Sequence, residues 1–106
     1  MVLSINKTFL WHLFAGSRGG VMRMRIINEI VKRPMNANQL TKKLKIDYKT
    51  ARHHLRVLLK NKMIQNNKNK GKYASTYHIS GILESNMFEF SLIWAKFNKS
   101  KLASKN

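Results

Sequence analysis

Apolar residues recur every three or four positions in the middle of the chain, which predicts amphipathic helices. One such helix is predicted from Val21 to Lys32, and Pro34 is expected to stop it, because proline disfavours helical backbone at the preceding residue. Asn36 and Asp47 then stand at N-cap positions, each followed by a helical pattern. The second of these patterns, Tyr48 to Lys60, is the best defined in the sequence. The centre of the chain is therefore predicted to be a helix-turn-helix.

Elements of two other kinds flank this centre. A short helix is predicted at residues 8–14, followed by a glycine-rich joint at 16–20. After the central helices the period changes, and β-prone runs at 63–65 and 73–79 predict a hairpin. A last helix is predicted at residues 82–97, apolar around more than one stripe.

The predicted fold class is mainly α with a small β-hairpin (α+β). The architecture is a winged helix-turn-helix with additional N- and C-terminal helices. The expected boundaries are 1–20 for the N-terminal helix and joint, 21–80 for the winged helix-turn-helix, 81–97 for a C-terminal dimerisation helix and 98–106 for a basic flexible tail.

The charge balance indicates the type of partner. The 106 residues carry 21 Lys and Arg but only four Asp and Glu, a formal net charge of +17. Such an excess attracts polyanions and opposes compaction by self-repulsion. Nucleic acid is the first polyanion to consider, and an anionic membrane surface is the second.

Several classes of site are disfavoured by composition. The chain has no cysteine, which excludes disulfides and thiolate metal sites. Four scattered carboxylates and no phosphate-binding glycine loop leave no catalytic assembly, so no enzyme activity, metal or cofactor is expected. The apolar run at residues 9–14 is too short to cross a bilayer. A cytoplasmic, nucleoid-associated protein without a membrane role is therefore expected.

The helix predicted at 48–60 divides into two faces when residues are placed at about 100° intervals. Its apolar face is expected to pack on the domain and consists of Tyr48, Ala51, Leu55, Leu58 and Leu59. Its basic face consists of Lys49, His53, Arg56 and Lys60, with Thr50 and Arg52 on the flanks. A helix with two such faces is suited to the major groove of DNA.

Each residue type on the basic face has a predicted use. Arg52 or Arg56 is expected to fork onto guanine, and Thr50 to meet a phosphate or a thymine methyl. Lysines are expected to hold phosphates, and wing residues 65–73 to follow the backbone or minor groove. The complete predicted DNA-binding set is Asn36, Asn38, Gln39, Lys42, Lys43, Lys49, Thr50, Arg52, His53, Arg56, Lys60, Lys68, Lys70 and Lys72.

His54 is treated separately from the basic face. It lies beside the apolar face and is interpreted as a hydrogen-bonded structural residue in preference to a base reader. Metal binding by His53 and His54 together is disfavoured, because adjacent helical residues project about 100° apart.

Several short strings resemble archaeal winged-helix regulators of the ArsR type. They are Gly19-Gly20, Arg25-Ile26-Ile27, Pro34-Met35-Asn36, Gln39-Leu40, Tyr48-Lys49-Thr50-Ala51-Arg52-His53-His54-Leu55 and Leu58. The resemblance covers about residues 16–80 and implies a dimeric DNA-binding repressor or activator. Metal-sensing members use cysteine thiolates, so a metal response is not implied here. Members commonly have glycine where Lys62 stands, which implies a left-handed backbone at Lys62 or a different helix end.

The apolar terminal helices suggest a homodimer, because they carry more apolar surface than one small domain covers. A two-fold axis would also set two recognition helices roughly 34 Å apart. The alternative is that both helices pack within one chain. The predicted dimer interface is Phe9, Leu10, Leu13, Phe14, Met87, Phe90, Ile93, Trp94 and Phe97.

The leading functional hypothesis is a sequence-specific regulator of transcription that binds double-stranded DNA as a homodimer. An architectural protein that coats DNA with little sequence preference is the alternative. RNA binding through the same fold is a third possibility, for which no single-strand stacking motif is present. No small-molecule effector is evident.

Overall fold

The structure is a computed structural model that describes residues 5–67 and 75–104, with residues 99–104 described by their backbone alone. Within this part of the chain there are six helices and one two-stranded antiparallel sheet. The elements are α1 (Lys7–Phe14), α2 (Gly20–Lys32), α3 (Ala37–Leu44), α4 (Tyr48–Lys60), β1 (Ile64–Asn67), β2 (Thr76–Ile79), α5 (Gly81–Ser85) and α6 (Met87–Ser104). The predicted class, mainly α with a small hairpin, is confirmed.

Side-chain caps fix where the two central helices begin. Asn36 Oδ1 accepts from the backbone N–H of Gln39 at 2.8 Å, and Gln39 Oε1 accepts from the N–H of Asn36 at 2.8 Å. This reciprocal capping box satisfies two N–H groups that the start of α3 would otherwise leave unpaired. Asp47 Oδ1 accepts from the N–H of Thr50 at 2.7 Å and caps the start of α4. Both predicted N-caps are confirmed.

The hairpin extends the helix-turn-helix into a winged fold. β1 pairs with β2 in a register that sets Ile64 opposite Ile79 and Asn67 opposite Thr76. The strands therefore begin one residue later at β1 and three residues later at β2 than predicted. Residues 68–74 lie outside the described part of the chain, and with them Lys68, Lys70 and Lys72.

A backbone bridge attaches β2 to the segment before α3. The N–H of Met35 donates to the carbonyl of Tyr77 at 3.3 Å, and the N–H of Tyr77 donates to the carbonyl of Met35 at 2.8 Å. Met35 and Tyr77 are both buried. The hairpin is thus fixed to the body of the domain at its second strand.

The terminal helices complete the core of a single chain. The rings of Phe14 in α1 and Phe90 in α6 pack edge to face, with centroids 5.1 Å apart. Trp11 Nε1 donates to Glu89 Oε2 at 2.6 Å and joins the same two helices in a half-buried position. Burial of two phenylalanines supplies a large apolar contribution to folding.

This packing corrects the predicted dimer interface. Five of the nine predicted interface residues are buried within the chain itself: Leu10, Leu13, Phe14, Phe90 and Ile93. The reason is that α1 and α6 cover each other, so these side chains are not available to a second chain. Phe9 is exposed, and Met87, Trp94 and Phe97 are half-buried.

The C-terminal region also differs from its prediction. In place of one helix at 81–97 there are two, because the chain turns at Asn86 between α5 and α6. Ser80 explains the start of α5: its hydroxyl accepts from the N–H of Leu83 at 3.1 Å and donates to the carbonyl of Lys62 at 2.7 Å. α6 continues to Ser104, through most of the segment predicted as a flexible tail.

The glycine-rich joint before α2 is tightly packed. Gly19 has a φ of 84°, and a Cβ there would lie 2.8 Å from His54 Cε1. A side chain at Gly20 would collide with the carbonyl of Phe14. Glycine is therefore required at both positions to bring α1, α2 and α4 together.

Candidate nucleic-acid interface

The basic face of α4 is open to solvent, and its apolar face is largely buried. Lys49, His53, Arg56 and Lys60 are all exposed. Ala51, Leu55 and Leu58 are buried, and Leu59 is half-buried. The predicted division of α4 into two faces holds for these residues.

Tyr48 departs from that division. It was expected on the buried face, but its side chain is 53% exposed. Tyr48 is the first residue of α4, and the first buried residue of that helix is Ala51. The exposed Tyr48 adds an aromatic ring and a hydroxyl to the candidate interface.

Arg52 is held on one flank of α4 by a specific contact. Its Nη1 donates to the hydroxyl of Tyr77 in β2 at 2.9 Å, in a half-buried position. Arg56, one turn later, has an exposed side chain. The two arginines predicted to fork onto guanine therefore stand in different surroundings.

The polar residues of α3 also divide by role. The side chains of Asn36 and Gln39 are engaged in the capping box. Asn38, Lys42 and Lys43 are exposed. The three exposed side chains add amide and ammonium groups to the surface near α4.

Hydrogen bonding supports the charged form of the α4 cap. Thr50, through its side chain and its backbone N–H, lowers the pKa of the Asp47 carboxyl below its usual value. An ionised Asp47 is favourable at a helix N-terminus, because the macrodipole is positive there. Thr50 is half-buried and contributes to this cap as well as to the predicted interface.

His54 connects α4 to the body of the domain. Its side chain is buried, and Arg23 Nη1 lies 3.3 Å from its Nδ1. A guanidinium only donates, so Nδ1 accepts and carries no proton. Burial first, and then the positive charges of Arg23 and His53, lower the pKa of His54. The interpretation of His54 as a hydrogen-bonded structural residue is confirmed.

Arg23 is the main residue that the sequence argument missed. It is a charged residue of α2, yet its side chain is only 4% exposed. Its Nη2 donates to Ser17 Oγ at 2.8 Å and to the carbonyl of Arg18 at 3.1 Å. The signal was available, because Arg23 precedes Ile26, Ile27 and Ile30 at helical spacing and so shares their stripe.

Metal sites and membrane-spanning helices were also sought among the described residues. In the ranges 5–67 and 75–104, no group of three or more His, Asp or Glu is placed to hold a metal ion. Across the same ranges, none of the helices has the length and hydropathy needed to cross a membrane.

Residues 21–65 match the family model "Bacterial regulatory protein, arsR family". The matched segment covers α2 from its second residue, α3, α4 and the start of β1, and so includes the helix-turn-helix described above. The predicted resemblance to ArsR-type regulators is thereby confirmed for this segment. No curated protein is similar enough in sequence to count as a match.

Solved structures of regulators share the fold. The transcriptional regulator SlyA has a TM-score of 0.66 at 13% identity, over 92% of this chain and 68% of its own. Streptococcus pneumoniae FabT in complex with DNA has a TM-score of 0.58 at 19% identity, over 92% and 68%. Staphylococcus aureus MarR in complex with salicylate and kanamycin has a TM-score of 0.59 at 19% identity, over 80% and 58%. This chain thus spans less than two thirds of the length of that MarR protein.

The family model that residues 21–65 match describes a regulatory protein, and the solved structures share the fold of this chain.

Proposed function

Residues 21–65 carry a regulatory helix-turn-helix of the ArsR type, and from this we propose that the protein is a homodimeric regulator of transcription that binds specific sequences in double-stranded DNA. In this proposal α4 enters the major groove, and the wing, residues 65–73, follows the backbone or minor groove. The exposed basic face of α4, set opposite a buried apolar face, carries the proposal.

The charges of the interface suit this role. Lys42 and Lys43 on α3, with Lys49 and Lys60 on α4, are exposed cations that would hold phosphates. Arg56 and His53 are exposed between those lysines along α4 and would read base edges. The net charge of +17 adds a long-range attraction for DNA.

The solved complex of FabT with DNA supports the same use of the fold. That protein shares 19% identity with this chain, so the resemblance extends to the fold and not to the bases that are read.

The experiment that tests the function is selection from a pool of random duplexes, followed by affinity measurements at several salt concentrations. A regulator is expected to enrich an inverted repeat and to prefer it over random duplex by at least ~10³-fold. An architectural protein would enrich no motif, and its affinity would fall steeply with salt. Failure to bind any duplex would reject both functions.

We place the proposed dimer contact on the outward face of α6. Phe88 is 77% exposed and Leu92 is 44% exposed, one turn apart on the same helix. The opposite face of α6 is already covered, by α1 and the core, through Phe90 and Ile93. A second copy that presents the same face would bury both exposed side chains across a two-fold axis.

The oligomeric state tests this placement. The wild type is expected to sediment as a dimer. The double variant Phe88→Asp, Leu92→Asp is expected to sediment as a monomer with unchanged helical content. Val31→Asp is the matched control, because Val31 is also an exposed apolar residue, at 47%, but lies on α2. A monomeric wild type, or a double variant that remains dimeric, would reject the α6 contact.

A further inference from the structure

Arg52 forms part of a polar cleft and does not lie on the open face of α4. The cleft encloses about 390 Å³ between the starts of α3 and α4 and the ends of the two strands. Its lining residues are Asn36, Ala37, Asn38, Tyr48, Arg52, Asn66, Ser75 and Tyr77. The predicted role of Arg52 as a base reader therefore needs to be reconsidered.

The direction of the Arg52 side chain is set by a rigid partner. Tyr77 is 3% exposed, and its backbone makes two hydrogen bonds to Met35. Its hydroxyl accepts from Arg52 Nη1 at 2.9 Å. The guanidinium is thus attached to β2 as well as to α4, and it bridges the recognition helix and the hairpin.

The chemistry of the cleft suits a phosphate group. Arg52 is the one charged residue in the lining, which otherwise consists of amide and hydroxyl side chains and Ala37. The guanidinium has five N–H donors. Within the described residues it makes one hydrogen bond, to Tyr77. Donors that remain free beside neutral polar groups match the oxygens of a phosphodiester.

The same attachment opposes base reading. A bidentate contact to guanine requires the guanidinium to lie in the plane of the base and reach into the groove. Arg52 would have to give up its bond to Tyr77 to do so, whereas the side chain of Arg56 is exposed on the open face of α4.

We propose that this cleft binds one phosphate of the DNA backbone, with Arg52 as the phosphate contact and Tyr77 as the positioning residue that aims it. The inference rests on the proposed DNA-binding function and adds a division of roles within α4. Arg52 fixes the register of the helix on the duplex, and Arg56 reads a base. The duplex backbone is the intended source of the phosphate, in preference to a free anion.

The test uses a duplex selected by the full-length protein and a series of copies, each with one phosphodiester replaced by an uncharged methylphosphonate. Affinities are measured for the wild type, Arg52→Gln, Tyr77→Phe and Arg56→Gln. In the wild type, one position per half-site is expected to lose roughly 10-fold in affinity on neutralisation. For Arg52→Gln that position should no longer matter, and base preference should be unchanged.

Two further readouts separate a phosphate contact from a structural role. The plot of log affinity against log salt should become shallower by about 0.9 per lost contact for Arg52→Gln. Tyr77→Phe should keep the same sensitive position but with a smaller loss, while its thermal unfolding by circular dichroism shows that the domain is intact. Arg56→Gln should instead keep the full methylphosphonate effect and relax the preference for one base pair.

Four outcomes would overturn the inference. The phosphate role would be rejected if the Arg52→Gln variant had an altered base preference. It would also be rejected if that variant responded to every methylphosphonate as the wild type does. Either result would leave the proposed function standing. Saturable binding of inorganic phosphate in the absence of DNA, lost in Arg52→Gln, would assign the cleft to a free anion. A wild type that binds no duplex would reject the proposed function and this inference together.

Discussion

Lys62, at the end of α4, adopts a backbone conformation that disfavours its own side chain. Its φ is 61°, in the left-handed region where glycine has no steric penalty. Lys45, after α3, has the same feature with a φ of 57°. A lysine at each helix end places positive charge where the macrodipole is negative, which offsets part of the cost.

Lys62→Gly is therefore expected to stabilise the fold by about 0.5–1 kcal/mol, because the relief of strain exceeds the added entropy of the unfolded chain. The measurement is the free energy of unfolding from chemical denaturation, compared between variants that have the same m-value. Lys60→Gly is the matched control and should destabilise, since Lys60 lies within α4. A loss of stability in Lys62→Gly would show that the lysine side chain makes a necessary contact.

Arg56 offers a second prediction at the level of one residue. Its side chain is exposed on the basic face of α4, so Arg56→Ala should remove discrimination at one base pair, a change of about 1–3 kcal/mol. The measurement is the affinity for the selected duplex against single-base variants. Lys42→Ala serves for comparison and should weaken all duplexes alike, and an equal weakening by Arg56→Ala would refute base reading.

At the level of elements, the contact between α2 and α4 depends on an uncharged histidine. His54 accepts from Arg23, and among the described residues neither of the two ion pairs involves Arg23. Burial lowers the pKa of Arg23 as it does that of His54. A proton on His54 would remove the acceptor and set two positive charges against each other.

Stability is consequently expected to fall in mild acid. The pKa of His54 is lowered in the folded protein, so below about pH 6.5 the unfolded chain binds more protons and unfolding is favoured. Above that pH, the folded and unfolded states are both neutral at this residue and the effect disappears. The check is the unfolding free energy between about pH 5 and pH 8.

Substitutions assign the pH effect to one ring. His54→Gln should flatten the pH dependence, whereas His53→Gln, at an exposed neighbouring position, should retain most of it. A pH dependence that survives in His54→Gln would mean that another group is responsible.

At the level of the whole molecule, the charge acts on the fold itself. The 106 residues carry a net charge of +17. Folding brings these like charges closer together, so their mutual repulsion opposes the compact state. Only two ion pairs, Lys7–Glu89 and Lys32–Glu29, join acids to bases within the described residues. DNA would relieve this repulsion when it binds.

Thermal stability without DNA should therefore rise with salt, from about 50 mM to about 500 mM, as the Debye length shortens. The melting temperature, measured by calorimetry, reports the effect. A parallel titration with an uncharged osmolyte separates the screening of charge repulsion from stabilisation by a solute that is excluded from the protein surface. A melting temperature that falls over this range would show that attractive ion pairs outweigh repulsion.

The elements that the sequence could predict were those with strong local signals. Asn36, Asp47 and Pro34 mark helix ends by chemistry that acts within a few residues, so α3 and α4 were predicted at their observed starts. The turn at Asn86 was not predicted, because the apolar pattern continues through it. The start of α5 depends on a contact of Ser80 with Lys62, eighteen residues away in sequence.

In the candidate site, too, the features set by local signals could be predicted and those set by distant contacts could not. Helical angles alone placed Arg56 and His53 on the exposed face. They could not show that Arg52 reaches Tyr77, or that Tyr48 escapes burial, because both depend on where β2 and the core lie.

The sequence by itself determined the helix-turn-helix, the two faces of α4 and the attraction for a polyanion, since periodicity, caps and net charge are properties of the chain. Tertiary structure alone decided which apolar helices cover each other, which arginine is buried and which is tied to the hairpin. Those outcomes depend on contacts between residues distant in sequence, such as Phe14 with Phe90 and Arg52 with Tyr77. No local pattern encodes which of several apolar or basic side chains meets a given partner.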